Sequence, residues 1–170
     1  MDRATFIETL HAGRAEWEAL LAEVGEARML QPGAAGEWSV KDVIAHVTWG
    51  EREMVGVMRA HALVGSDLWN LPEDERNAIM IAGQRDRPLH DVLTEERQVY
   101  AQFVEQVQAL PDEDFTDARR FREMPEQWLP WQVLGWADGL SRAAELAPDR
   151  RNGGYSRRYL SASLETYLRI

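Results

Sequence analysis

The sequence contains no cysteine, and this absence excludes disulfide bonds, zinc–thiolate sites and thiol nucleophiles together. Any bound metal would therefore need histidine, aspartate or glutamate ligands. The sequence also lacks an apolar run close to the roughly 20 residues that a membrane-spanning helix requires. We expect a soluble, cytoplasmic protein without a membrane partner.

Lysine is almost absent as well, since Lys41 is the only one, and the formal net charge is -10. Affinity for the phosphate backbone of nucleic acids comes mostly from Lys and Arg side chains. Nucleic acid is therefore not expected as a partner. A chain of 170 residues is long enough to bury its own core, and we expect a single domain over residues 1–170.

Apolar residues recur at spacings of three and four along most of the chain, a pattern typical of amphipathic helices. Long helices are predicted over about twenty residues up to Val24, over 40 to about 63, over 89–110 and over 131–147. A last segment at 159–168 is amphipathic too. A charged residue interrupts the apolar spacing in two of these helices: Arg14 in the first helix and Glu96 in the helix at 89–110.

No segment alternates with a period of two residues, so no strand is predicted. Residues 111–130 are rich in charge and proline, and we interpret them as a long crossover loop. Four long helices with such a loop predict an all-α four-helix bundle, with an extra C-terminal helix.

The start of the second long helix leads to a solitary histidine. Ser39 is suited to cap this helix, and Asp42 to reach back to the Ser39 backbone N–H in an aspartate version of the capping box. His46 follows on the flank of the apolar face. Three roles are open for it: a metal ligand, a pocket residue that acts without metal, or a structural side chain.

Two glutamates follow on the same helix. At 100° per residue, Glu51 falls near the middle of the apolar face, where a carboxylate must find a partner or become protonated. Three interpretations are open for it: the bundle mouth is open at this level, an arginine such as Arg14 pairs with it, or it is catalytic. Glu53 lies close in angle to His46, and we interpret it as a surface charge.

The run Glu-Trp-Ser-Val-Lys-Asp-Val-Ile-Ala-His at 37–46 resembles the DinB-like superfamily of four-helix bundles. Within the superfamily the chain is most similar to the ClbS/DfsB branch, a neighbour of the mycothiol-dependent maleylpyruvate isomerases. Residues 14–21, 76–78, 84–88 and 128–133 resemble the same branch. The resemblance covers roughly residues 3–135, whereas 136–170 diverge, and it implies the up-down-down-up helix order.

The resemblance also implies a divalent metal site, with one histidine on the second helix and two ligands on the fourth. His46 matches the first position, and Glu145 falls close to where the last ligands belong. The helix at 131–147 contains no histidine, so zinc or nickel would bind weakly or not at all. Whether the protein is an enzyme stays open.

Trp38, Trp49, Trp131 and Trp136 cluster near the beginnings of the second and fourth long helices, where they could wall a pocket for a small molecule. By resemblance, the protein would modify or sequester a reactive electrophile or natural product, as a metal-assisted hydrolase or a thiol transferase. The alternative is a metal-free binding or oligomerisation protein with a decayed metal site. In that case the segment 159–168 offers a surface for a homodimer.

Overall fold

The computed structural model describes residues 2–123, which form an all-α bundle with one small β-hairpin. In chain order the elements are α1 (Arg3–Val24), α2 (Glu26–Met29), β1 (Pro32–Ala35), β2 (Trp38–Ser39), α3 (Val40–Ala60), α4 (Glu73–Gln84) and α5 (Leu89–Ala109). Short 3-10 helices lie at Asp67–Asn70, Asp112–Phe115 and Ala118–Arg120. The helices predicted at 131–147 and 159–168 lie outside the described residues.

Helices α1 and α5 pack antiparallel. Arg3 Nη1, at the start of α1, donates to the Leu110 carbonyl just after α5, at 2.7 Å. Further along, Tyr100 Oη on α5 donates to the Leu10 carbonyl on α1, at 3.2 Å. Because the start of one helix lies at the end of the other, the two run in opposite directions.

Helices α3 and α5 run parallel, since their starts and their ends lie together. At the starts, Lys41 Nζ donates to the Arg87 carbonyl at 3.0 Å. At the ends, His61 Nε2 lies 2.7 Å from Asp114 Oδ2. The segment from 61 to 88, here named the crossover, therefore returns the chain along the bundle and carries α4 across α3. It is distinct from the loop predicted at 111–130. The order of the three described long helices is up-down-down, which agrees with the predicted DinB-type bundle.

The core is apolar over most of its length. At one end, Phe6 and Leu10 of α1 pack with Met54 and Met58 of α3 and with Phe103 of α5. The other end is filled by residues of the same three helices and of the hairpin, among them Val24, Val40, Ile44, Val92 and Ala34. Among the described residues, no helix is both long and apolar enough to cross a membrane.

Arg14 and Glu96, the two charged residues that interrupt the predicted apolar faces, meet inside this core. Arg14 forms an ion pair with Glu96, whose second oxygen accepts from Arg14 Nη2 at 3.3 Å. Arg14, a candidate partner for Glu51, is therefore hydrogen-bonded to Glu96 instead, while Glu51 lies buried on the core face of α3 and not at an open bundle mouth. Helical angles give the face of each helix, but not the level at which residues of different helices meet.

The hairpin β1–β2 was not predicted. Pro32 pairs with Ser39 and Ala35 with Trp38, in antiparallel register with an irregularity between the two pairs. A strand of two residues is too short to show a period of two in the sequence. The predicted loop at 111–130 is described as far as Glu123, and that part contains the two short 3-10 helices after α5.

Candidate functional site

The start of α3 is fixed by the predicted capping box. Asp42 N donates to Ser39 Oγ at 3.2 Å, and Ser39 N donates to Asp42 Oδ2 at 2.8 Å. Two backbone N–H groups that have no partner inside a helix are thereby satisfied. The direction of the side chains on the following turns, including His46, is set from this point.

The only lysine joins the start of α3 to the turn between α4 and α5. Lys41 is buried, and its ammonium donates to the carbonyls of Arg85 at 2.7 Å and Arg87 at 3.0 Å, with a longer contact of 3.4 Å to that of Gln84. Three converging acceptors suit the three donors of an ammonium group. The turn is thus held against the capped helix start.

His46 lies buried beside Trp38. Only 4% of the residue is exposed. The imidazole and indole centroids are 5.5 Å apart, with the rings inclined at 55°. The flank position predicted for His46 is therefore enclosed, and Trp38 is one of the side chains that enclose it.

Trp49 lies one turn further along α3 and packs against Trp69 of the crossover, at 5.0 Å between ring centroids. Met80 and Ile81 of α4 complete this second aromatic cluster, against which Trp38 also packs. The guanidinium of Arg76, also on α4, lies 5.1 Å from the centre of the Trp69 ring. Trp69 was not singled out from the sequence, and Arg76 was noted only within a segment that resembles the family. The spacing of apolar residues within α3 does not reveal which side chains the crossover places over it.

Glu53 holds the crossover in place, so its interpretation as a surface charge was wrong. Its Oε2 accepts from Trp69 Nε1 at 2.9 Å and from Ser66 N at 2.8 Å. Gly65 lies so close that a Cβ at this position would sit 2.1 Å from the same oxygen and 3.1 Å from Trp69 Nε1. The absence of a side chain at Gly65 therefore allows the carboxylate to reach the indole.

Replacement of Gly65 by alanine is expected to destabilise the protein by about 1–3 kcal/mol, because the new methyl group must displace Glu53 from its two donors. Urea unfolding followed by tryptophan fluorescence measures this change. Gly56→Ala is the matched control: its Cβ would meet only Val64 Cγ2, at 3.9 Å, inside α3. Since alanine favours helices, we expect the control to stabilise by about 0.5–1 kcal/mol. Equal effects of the two variants would contradict the close approach at Gly65.

A cavity of about 690 Å³ opens beside the start of α3. Trp38 forms part of its wall, and Leu30, Ile81 and Leu89 add apolar surface. Its charged lining residues are Glu37, Lys41, Asp42, Arg85 and Arg87. The volume lies within the range of about 300–1,000 Å³ typical of small-molecule sites. Trp38 thus contacts both the cavity and His46.

Residues 10–147 match the family model of the mycothiol maleylpyruvate isomerase N-terminal domain. The chain belongs to this family. The family is part of the DinB-like four-helix superfamily, which confirms the superfamily predicted from residues 37–46. The ClbS/DfsB branch stays a prediction. Comparison with curated proteins and with solved structures gave no match.

The mycothiol maleylpyruvate isomerase family is associated with metal-dependent enzymes. In residues 2–123, no three His, Asp or Glu side chains form a group that could hold an ion. His61 lies against Asp114, whereas His11 and His90 are exposed. The described residues supply only His46, and one imidazole does not fit a metal that needs about three protein ligands.

The other predicted site residues separate into two groups. Trp38 lines the cavity and Trp49 lies in the adjacent aromatic cluster. Trp131, Trp136 and Glu145 lie outside the described residues, so their places in the site stay predictions. The matched range of the mycothiol maleylpyruvate isomerase model includes all three positions.

Proposed function

We propose that the protein binds a small reactive molecule in the cavity beside the start of α3 and either modifies it or keeps it sequestered. The observation that carries this proposal is the cavity itself, whose Trp38 wall lies against the buried His46. An aromatic wall and a few charged side chains suit a compact ligand that has both an apolar and a charged part. Family membership supports a thiol or an electrophile as that ligand.

Within this proposal, the described side chains have distinct tasks. Trp38 offers a flat surface for the ligand, while Lys41 keeps the turn that carries Arg85 and Arg87 in position. The guanidinium groups of these two arginines would attract a carboxylate. Small electrophiles and the products of their reaction with a thiol commonly carry such a group. His46, behind Trp38, would serve as the base if the ligand is modified.

Trp38→Leu is expected to weaken ligand binding at least about tenfold, because leucine removes the flat aromatic surface. Titration calorimetry with maleylpyruvate and with mycothiol, the two compounds in the family's name, measures this loss. The control is Ile79→Ala, which changes an exposed residue of α4 away from the cavity lining and should leave binding unchanged. Binding that survives Trp38→Leu, or that is absent in the wild type, would contradict the proposed site.

Modification and sequestration are distinguished by the fate of the bound compound. Mass spectrometry of an incubated mixture should show a product if the protein is an enzyme, and His46→Ala should abolish that product while leaving binding intact. Recovery of the unchanged compound favours sequestration. The metal content of the same purified protein tests for a metal site. Near-stoichiometric zinc or nickel that is lost in His46→Ala would support a site completed by residues beyond 123.

A further inference from the structure

Three helices each place one ionisable residue at the same level of the apolar core. These are Arg14 on α1, Glu51 on α3 and Glu96 on α5, and only 3% of each glutamate is exposed. The glutamates lie among side chains that are otherwise apolar. A buried charge in such a place is costly unless it is paired.

The cation of this cluster is engaged by other carboxylates. Arg14 pairs with Glu96 and donates from Nε to Glu18 Oε1 at 2.7 Å, while Trp17 Nε1 donates to Glu96 at 3.1 Å. In the described part of the chain, Glu51 Oε2 has no hydrogen-bond partner. Arg14 therefore compensates Glu96, whereas an ionised Glu51 would add an excess negative charge to the core.

Within residues 2–123, the other groups that face this cluster do not supply a second cation. From α5, the Tyr100 ring lies under the guanidinium of Arg14, 4.5 Å from its centre. From α4, the buried cation is Arg76, whose guanidinium lies over Trp69. Burial, reinforced by the charge of Glu96 and opposed by Arg14, raises the pKa of Glu51 to about 8.

We propose that Glu51, Glu96 and Arg14 form a proton-binding site in the core, and that loss of its proton at alkaline pH loosens α3 from α1 and α5. The site holds its proton on Glu51, so that at neutral pH the buried cluster contains one cation and one buried anion. Removal of the proton adds a second buried carboxylate charge without adding a partner. The bundle thereby becomes sensitive to pH through a residue that the cavity does not use.

Proton linkage determines whether the folding equilibrium constant rises or falls with pH. In the unfolded chain Glu51 titrates near its ordinary value of 4.5, and in the folded protein near 8, so the folded state binds the extra proton between these values. The folding equilibrium constant should therefore fall about tenfold per pH unit from pH 5 to pH 8, relative to a chain without this group. Above that range the effect should level off.

The test is urea unfolding from pH 5 to pH 9 of the wild type, Glu51→Gln and Glu105→Gln. Glutamine imitates the protonated acid, so the ratio of the wild-type folding constant to that of Glu51→Gln should show the tenfold fall per unit. Glu105 is an exposed residue of α5, and its replacement should leave the wild-type slope unchanged. Equal slopes in all three proteins would overturn the proposal.

Two further readouts do not depend on comparing stabilities. Unfolding of the wild type at pH 7 in weak buffer should release about one proton more than unfolding of Glu51→Gln. Infrared spectroscopy of the folded wild type should show the carbonyl band of a protonated carboxylic acid at pH 7, which disappears as the pH rises past 8. Absence of that band would overturn the proposal even if the glutamine variant failed to fold.

Discussion

Arg14→Met should lower the free energy of unfolding by about 3 kcal/mol at pH 7, the low end of the range for breaking a buried ion pair. Methionine keeps an unbranched apolar stem in the core but removes the only described cation that contacts Glu96. The carboxylate would then stay in the core with the hydrogen bond from Trp17 as its remaining described support. Chemical denaturation with two probes, fluorescence and circular dichroism, measures the loss.

The controls for Arg14 separate a buried pair from an exposed one. Arg52 is 42% exposed and pairs with Glu95, so Arg52→Met should cost less than about 1 kcal/mol. Adding Glu96→Gln to Arg14→Met should recover part of the loss, because the stranded charge disappears, and the double-mutant cycle isolates the pair. Similar losses in Arg14→Met and Arg52→Met would show that burial does not determine the strength of this pair.

Asp114→Ala should cost about 3 kcal/mol, because it removes two charge-assisted hydrogen bonds and leaves a space in the core. Asp114 is fully buried, with Oδ2 on His61 and Oδ1 on Arg120. These bonds attach the segment after α5 to the end of α3, next to the backbone bonds between 61–63 and Arg122. The loss should not exceed this value, since the side chains of His61 and Arg120 are both 43% exposed and can regain water.

Asp112 provides the comparison for Asp114, because it lies in the same short helix but on the surface. It pairs with Arg3 at 3.2 Å and is 69% exposed. Asp112→Ala should therefore change stability by no more than about 0.5 kcal/mol. Denaturation midpoints of the two variants measure the difference, and a midpoint for Asp114→Ala equal to that of Asp112→Ala would contradict the role assigned to the buried carboxylate.

The local features of the fold could be predicted from the sequence. The capping box of Ser39 and Asp42, the core face of α3 and the buried place of Glu51 all follow from positions within one helix. Contacts between elements could not be predicted in this way. Glu53 binds Trp69 only because the crossover returns over α3, and Arg14 meets Glu96 only because α1 and α5 are antiparallel.

In the candidate site, too, the features within one segment could be predicted from the sequence, whereas those that join several elements could not. The family run at 37–46 identified His46 and Trp38, and the structure explains the run as a helix start, a lysine that holds a turn and a ring that covers the histidine. The cavity depends on the hairpin and on the turn between α4 and α5. Trp38 was predicted as a pocket wall, but the two-residue strand β2 leaves no periodic signal, so the sequence did not indicate the hairpin that holds this side chain.

The central place of α5 has a consequence for the order in which the protein can assemble during synthesis. Both α1 and α3 pack on α5, and the contact between Arg14 and Glu96 joins residues 82 positions apart. Such distant contacts must wait for the intervening chain, and the entropy of closing long loops slows their formation. A nascent chain that ends before residue 89 would therefore display the apolar faces of α1 and α3 without their common partner. During that interval it would be a natural client for a chaperone at the ribosome exit.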